Sequence, residues 1–148
     1  DDVFLNNLAN EFSQAFINIL NNAKDAIVLI IKDNESGLIK IKTKKIDNFT
    51  EILVLDNALG VDKDILNKIF EPYFTTKHKY QGTGLYMTRK IINSSMGGEI
   101  TVQNKKFTHN KKEYKGAEFK IKIPLKLDWL WLKVCDIILS YNLKFLIK

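Results

Sequence analysis

Three short stretches carry side chains whose types and spacing suit binding chemistry. Asn18 and Asn22 stand one helical turn apart in EFSQAFINILNNAKDAIVLII. On a helix that spacing sets two amide carbonyls side by side, neutral oxygens suited to a hard cation or to phosphate-bound water. They share a stripe with Gln14, Asn21 and Asp25 that is polar but mostly uncharged. Asn competes for backbone hydrogen bonds and costs helix propensity, so the stripe reads either as a site or as plainly solvated Asn side chains. Asp56 closes the apolar run TEILVLD. A carboxylate there needs a donor, supplied by its own backbone in a turn or by a ligand's amino group. Gly82-Thr83-Gly84 opens a helical pattern. Unpaired N–H groups at a helix start, with glycines that let the backbone close in, suit a phosphate, although most such triplets are simply turns. The triplet fits neither GxxxxGK[ST] nor GxGxxG, and no βαβ pattern surrounds it, so P-loop and dinucleotide-fold readings fail on context.

These residues need a scaffold, and the hydrophobic pattern supplies one. Glu11–Ile31 predicts a helix with Phe12, Phe16, Ile19, Leu20, Ala23, Ala26, Ile27 and Ile30 on one side, residues 1–10 leading into it. Leu38–Ile46 alternates apolar residues with lysines, a half-buried strand. Thr50–Leu55 is a more buried strand, and Asp47-Asn48 between them signals a hairpin. Asp62–Ile69 predicts a short helix with Asp62 as N-cap. Phe70–Gly82, FEPYFTTKHKYQG, has no regular period, and such segments in compact domains are usually functional or disordered. A second long helix should run from Gly84 to about Met96, ended by Gly97-Gly98. Glu99–Val102 and Ala117–Pro124 read as strands, with residues 105–115 as a polar, basic connection. Helices and strands in these runs predict an α+β domain: a two-layer sandwich, with a mixed β-sheet carrying three main helices on one face.

The totals bound the function classes. A chain of 148 residues with 45% hydrophobic and 27% charged residues fits one globular domain, here residues 1–125, followed by an apolar extension at 126–148. A net charge of +6 invites a nucleic-acid reading. Its lysines are scattered, though, and Arg89 is the single arginine, so a basic surface meeting an anionic ligand is preferred and no nucleic acid is expected. One cysteine, Cys135, allows no internal disulfide and fits a reducing, cytoplasmic setting. The start at Asp1-Asp2 carries no signal peptide and is read as a cut from something longer, a parent anchored in the inner membrane included. Charges at Asp128, Lys133 and Asp136 interrupt any apolar span long enough for a membrane helix.

Taken together and in order, the motifs resemble those of the GHKL ATPase/kinase superfamily. NILNNAKDAI is similar to its N box, DNALG to its first glycine box, GTGLYM to its second, and IFEPYFTTK to the F box that marks sensor histidine kinases. GGEITVQN and GAEFKIKIP resemble the closing strands, so the likeness covers about residues 10–125. The resemblance implies a Bergerat-type ATP-binding fold and ATP with Mg²⁺ as ligands. It implies that Asn22 and Asn18 coordinate the metal and that Asp56 accepts the adenine amino group. Gly60 would pass close under the base, and Ile65 and Leu85 would line its pocket. Thr75, Thr76 and Lys77 would begin a lid over the nucleotide, with Lys77 or Lys79 reaching the phosphates. Gly82, Thr83 and Gly84 would close on those phosphates, while Phe70 and Phe74 anchor the lid.

The chain departs from the family pattern at Ala58, where the first glycine box usually has its middle glycine. Alanine there is strained if the backbone is left-handed and harmless if only smallness is needed. The extension, with Trp129, Trp131, Ile137, Ile138, Leu143 and Phe145, is read either as an extra helix covering the domain or a partner, or as an artefact foreign to the fold. His78 and His109 sit in loop-like stretches, and neither resembles the family's phosphoacceptor. The resemblance therefore implies a protein-histidine kinase's catalytic domain alone. It would deliver the γ-phosphoryl group of ATP to a histidine on a separate dimerisation domain, with a response regulator as indirect partner, and no residue stands out as a general base. The alternative is a degenerate docking module with an inert nucleotide site.

Overall fold

The structure, a computed structural model, describes residues 2–31, 36–76, 82–124 and 137, with side chains from residue 8 onward. Its first element, α1, spans Asp2–Ile30. The helix thus starts well before Glu11, because Leu8 and Ala9 continue the buried stripe one turn ahead of Phe12. Phe12, Phe16 and Ile19 are fully buried, and the Phe12 and Phe16 rings stack at 5.6 Å between centroids. Burying each such side chain contributes about 1.5–3 kcal/mol. The far end behaves differently. Ile30, expected inside, is 41% exposed beside Val28 and Leu29, so the last turn runs clear of the core.

Four strands form the second layer: β1 Ile39–Ile46, β2 Phe49–Asp56, β3 Glu99–His109 and β4 Lys112–Pro124, in spatial order β1-β2-β4-β3. Every neighbouring pair is antiparallel, so the expected mixed sheet is corrected to an antiparallel one among the described residues. The cause is local. Two-residue turns at Asp47-Asn48 and Asn110-Lys111 can join only antiparallel strands, and both residues of the second have the positive φ that such turns require. Register places Ile41, Val54, Phe119 and Val102 in one cross-strand row and Ile52, Ile121 and Ile100 in the next. These rows face α1 and share its core. On the opposite face Lys44 pairs with the buried Glu51 at 3.0 Å, and Lys105 with the buried Glu118 at 2.5 Å.

The described residues hold two α-helices, α1 and α2 (Gly84–Lys90), rather than three. Asp62–Ile69 folds as successive turns. Asp62 Oδ1 accepts the Asp64 N–H as a cap would, but the bonds that follow, Ile65 to Asp62 and Lys68 to Ile65, span three residues, with one four-residue bond from Ile69 to Ile65. Asp62, Asp64 and Asn67 compete for the backbone, and the inward-facing apolar residues are too few to compensate. The helix expected to reach Met96 also changes character, continuing after Lys90 as a π-helical turn at Ile91–Ser95. Gly97 follows with φ 63°, the left-handed stop its position suggested. Strands β3 and β4 are longer than Glu99–Val102 and Ala117–Pro124 suggested. The basic connection is itself a ladder, on which Phe107 and Tyr114 stack at 5.6 Å between centroids. Of the extension, Ile137 alone is described; it is buried and belongs to the same core cluster. No helix among the described residues is long and apolar enough to cross a membrane.

Candidate functional site

Asp56 ends β2 and is 3% exposed. Its Oδ1 accepts the N–H of Ala58 at 2.9 Å and that of Ala117, on β4, at 3.1 Å. Burial pushes its carboxyl above the ordinary 3.8, against the pull of those two donors. Both bonds fall on one oxygen, so among the described residues Oδ2 takes no donor. The turn role and the ligand role are therefore compatible in one carboxylate.

The loop after Asp56 resolves the question raised at Ala58. Left-handed backbone falls on Leu59 (φ 64°) and Gly60 (φ 89°), not on Ala58. Ala58 is 1% exposed and donates its N–H to Asp56, so a small side chain is what the position needs. Gly60 is required by contact as well as by φ: a Cβ there would lie 2.3 Å from Asn104 Oδ1.

Across the cavity, the polar stripe of α1 is held by its amide nitrogens. Asn18 Nδ2 donates to the buried Thr88 hydroxyl on α2 at 2.9 Å, and Asn22 Nδ2 to the Asn18 carbonyl at 3.0 Å. Each side chain thus keeps its Oδ1 for another partner. Gly84 is also required by packing. A Cβ there would sit 2.6 Å from Asn18 Oδ1, so glycine is what lets α2 approach α1. Gly82 has φ 68° and lies against the Tyr73–Phe74 backbone, within 2.7 Å of any added Cβ. Phe70 and Phe74 pack inward, with Phe70 edge-on to Phe119 at 6.3 Å and Arg89 over its ring at 5.5 Å.

One cavity of about 470 Å³ lies between these two walls, within the size of ordinary small-molecule sites. Asn18, Asn22, Asp56, Gly60, Ile65, Thr75, Thr76, Gly82, Gly84 and Leu85 all line it. Thr83 is the N-cap residue of α2; it does not line the cavity, and its side chain makes no capping bond. Lys77, Lys79 and His78 lie outside the described residues. Asn21, Lys24 and Asp25 of α1 line it too, as do Val61, Ala117 and Phe119. Among the described residues no three His, Cys, Asp or Glu side chains cluster to hold a metal. A cation here would use amide oxygens together with its ligand's own oxygens, and the free Oδ1 atoms of Asn18 and Asn22 fit a hard divalent ion that keeps several waters.

Sequence reading missed Asn104, Thr88, Gly116 and Ala117. A Cβ at Gly116 would fall 1.7 Å from the Asp56 carbonyl oxygen, the tightest such approach in the described chain. A glycine inside a strand marks close backbone approach, so KGAEF held a signal. Asn104 and Thr88 held none.

The model of the family described as histidine kinase-, DNA gyrase B-, and HSP90-like ATPase matches residues 7–127. The chain belongs to that family. Sporulation kinase A of Bacillus subtilis is 32% identical over 126 residues, which are 85% of this chain and 18% of that kinase. The chain thus spans less than a fifth of that relative's length, 18%. The nucleotide-free catalytic domain of histidine kinase ThkA matches with TM-score 0.58 at 28% identity, over 78% of this chain and 66% of that one. ThkA in complex with the response regulator TrrA matches at TM-score 0.53 and 28% identity, over 78% of this chain and 28% of that one. Full-length ShkA in complex with AMPPNP matches at TM-score 0.53 and 25% identity, over 75% of this chain and 21% of that one. Within the ATPase family these relatives are histidine kinases, and the α+β architecture with its four-stranded antiparallel sheet is consistent with theirs.

Proposed function

We propose that this chain is the ATP-binding catalytic domain of a two-component sensor histidine kinase. The observation that carries the reading is a cavity that gathers Asp56 on one wall and Asn18 and Asn22 on the other. The nucleotide carried by ShkA and the response regulator carried by ThkA support the ligand and the signalling context. In this reading Asp56 Oδ2 accepts the adenine amino group, and Gly60, Ile65, Leu85 and Phe119 enclose the base. Asn22 and Asn18 hold Mg²⁺ through their Oδ1 atoms; the metal, when bound, supplies charge neutralisation for the phosphates. Thr75, Thr76, Gly82 and Gly84 close on the triphosphate.

Among the described residues we assign no side chain of the cavity as general base. The chain's contribution is positioning and electrostatic: it fixes the nucleotide by its base and leaves the γ-phosphoryl group open to an in-line nucleophile. That nucleophile is a histidine on a dimerisation domain outside this chain, so the domain binds ATP–Mg²⁺ but does not phosphorylate itself. Calorimetric titration with a non-hydrolysable ATP analogue, with and without Mg²⁺, tests the reading. Magnesium-strengthened binding that Asp56→Asn abolishes supports it. Absence of heat at millimolar nucleotide would sink it in favour of the inert docking module.

A further inference from the structure

The loop that carries Asp56 and Gly60 is not self-supporting. Three ties sew residues 56–61 to the base of the β3–β4 ribbon. Ala117 donates its N–H to Asp56 Oδ1, and Leu59 donates its N–H to the Lys115 carbonyl at 3.0 Å. The third tie is a side chain. Asn104 Oδ1 accepts the Val61 N–H at 2.7 Å, and Asn104 Nδ2 donates to the Val61 carbonyl at 2.6 Å. One amide thereby occupies both backbone groups of Val61, as a neighbouring strand would. Asn104 is also the register partner of Ala117, so one cross-strand pair pins both ends of the loop. Its Oδ1 occupies the space a side chain at residue 60 would need, 2.3 Å from where a Cβ would lie.

We infer that Asn104 is the positioning residue that sets base selectivity at this site, by splinting Gly60–Val61 at the distance from Asp56 that an adenine ring requires. The inference rests on the nucleotide-site reading above. Asn104 itself does not line the cavity, whereas Val61 and Gly60 do, so it acts on the base through the loop. The phosphate wall, built on α1 and α2, has no bond to it.

The test compares wild type, Asn104→Ala and Asn104→Asp by titration with ATP and GTP analogues, each with and without Mg²⁺. Asn104→Ala, which loses both bonds, is expected to weaken the ATP analogue about tenfold. The GTP analogue and the magnesium enhancement should not move, so the ATP:GTP ratio falls. Asn104→Asp keeps the accepted bond but turns a carboxylate oxygen, which cannot donate, toward the Val61 carbonyl, so the ATP:GTP ratio should fall there too; it also serves if the alanine variant fails to fold. Exchange of the Val61 amide proton should quicken in Asn104→Ala, which loses its acceptor. A ratio that stays at the wild-type value in a folded variant overturns the inference and leaves the nucleotide site standing. Equal loss for both nucleotides makes Asn104 merely structural and overturns it too. A wild-type chain that binds neither nucleotide overturns the site reading, and this inference with it.

Discussion

The two walls of the cavity are built on different principles. The wall around Asp56 is made of backbone: strand-end N–H groups, a loop bound to the β3–β4 ribbon, and glycines at 60 and 116 where no side chain fits. The wall around Asn18 and Asn22 is made of side chains standing on one helix, joined to the other helix through an amide-to-hydroxyl bond at 2.9 Å. Backbone positions cannot relax independently of the sheet, whereas amides on a helix can rotate. The contrast suits a flat, rigid base on the first wall and a flexible, hydrated polyanion on the second.

The largest expected break is at Gly116. Gly116→Val must displace the Asp56 carbonyl from a Cβ only 1.7 Å away, so the pairing of β2 with β4 gives way. A loss of about 3 kcal/mol is expected, the upper part of the overpacking range, read as a lower midpoint in chemical denaturation. A midpoint shift under about 1 kcal/mol would mean that the approach is looser than the contact shows.

Next comes Asp56→Asn, which keeps the bonds from Ala58 and Ala117 but can turn a donor toward the adenine amino group. Nucleotide affinity should drop about 100-fold with little change in thermal midpoint. Acid should produce the same loss in wild type. Because burial raises this carboxyl above 3.8, the folded chain takes up the proton before the unfolded one does. Its contribution to stability is full below 3.8 and is lost as pH rises through the raised value, while the ionised acceptor exists only above that value. Binding therefore weakens on acidification at a pH above 3.8, and Asp56→Asn should show no such titration. Glu118, on the outer face of β4, has the opposite sign. Burial pushes it up, but the bonds from Lys105 and Gln103 and the charges of Lys105 and Lys120 outweigh that and hold it below 4.5. Its contribution to stability is complete above 4.5 and is lost as pH falls through the lowered value.

On the side-chain wall, Asn22→Ala should separate binding from folding. It should cost about tenfold in affinity for ATP–Mg²⁺ and nothing without the metal. Stability should hold or rise by up to about 0.5 kcal/mol, because alanine is the better helix former. Equal affinity loss with and without Mg²⁺ would remove Asn22 from the metal. The smallest effect belongs to Ala58→Gly. With no left-handed φ to relieve, it should leave nucleotide affinity unchanged and lower stability by about 0.5–1 kcal/mol, through added freedom of the unfolded chain. Tighter binding in Ala58→Gly would show that alanine does strain the loop.

The groups offered to the cavity were largely legible because their patterns are local, while their meeting there was implied only by the family resemblance. The stripe of α1, the strand-end Asp56 and the glycines at 82 and 84 are each set by neighbours within a few positions, where periodicity and propensity act. So are the hairpins, whose two-residue turns dictate antiparallel pairing. What sequence could not yield depends on distant approach. The same Gly84 that reads as a phosphate turn is glycine because α2 presses on Asn18, and Gly116 because β4 presses on Asp56. Asp62–Ile69 looked helical, but a segment this short takes its form from packing rather than propensity. Ala58 could be called strained or harmless from sequence with equal right; only the tertiary path placed the left-handed turn at Leu59 and Gly60. Asn104, in a polar stretch with no pattern, became part of the site when β3 was laid beside a loop more than forty residues away in the chain. Spacing along the chain determines which groups an element can offer, while only the packing of elements decides which of them are held still.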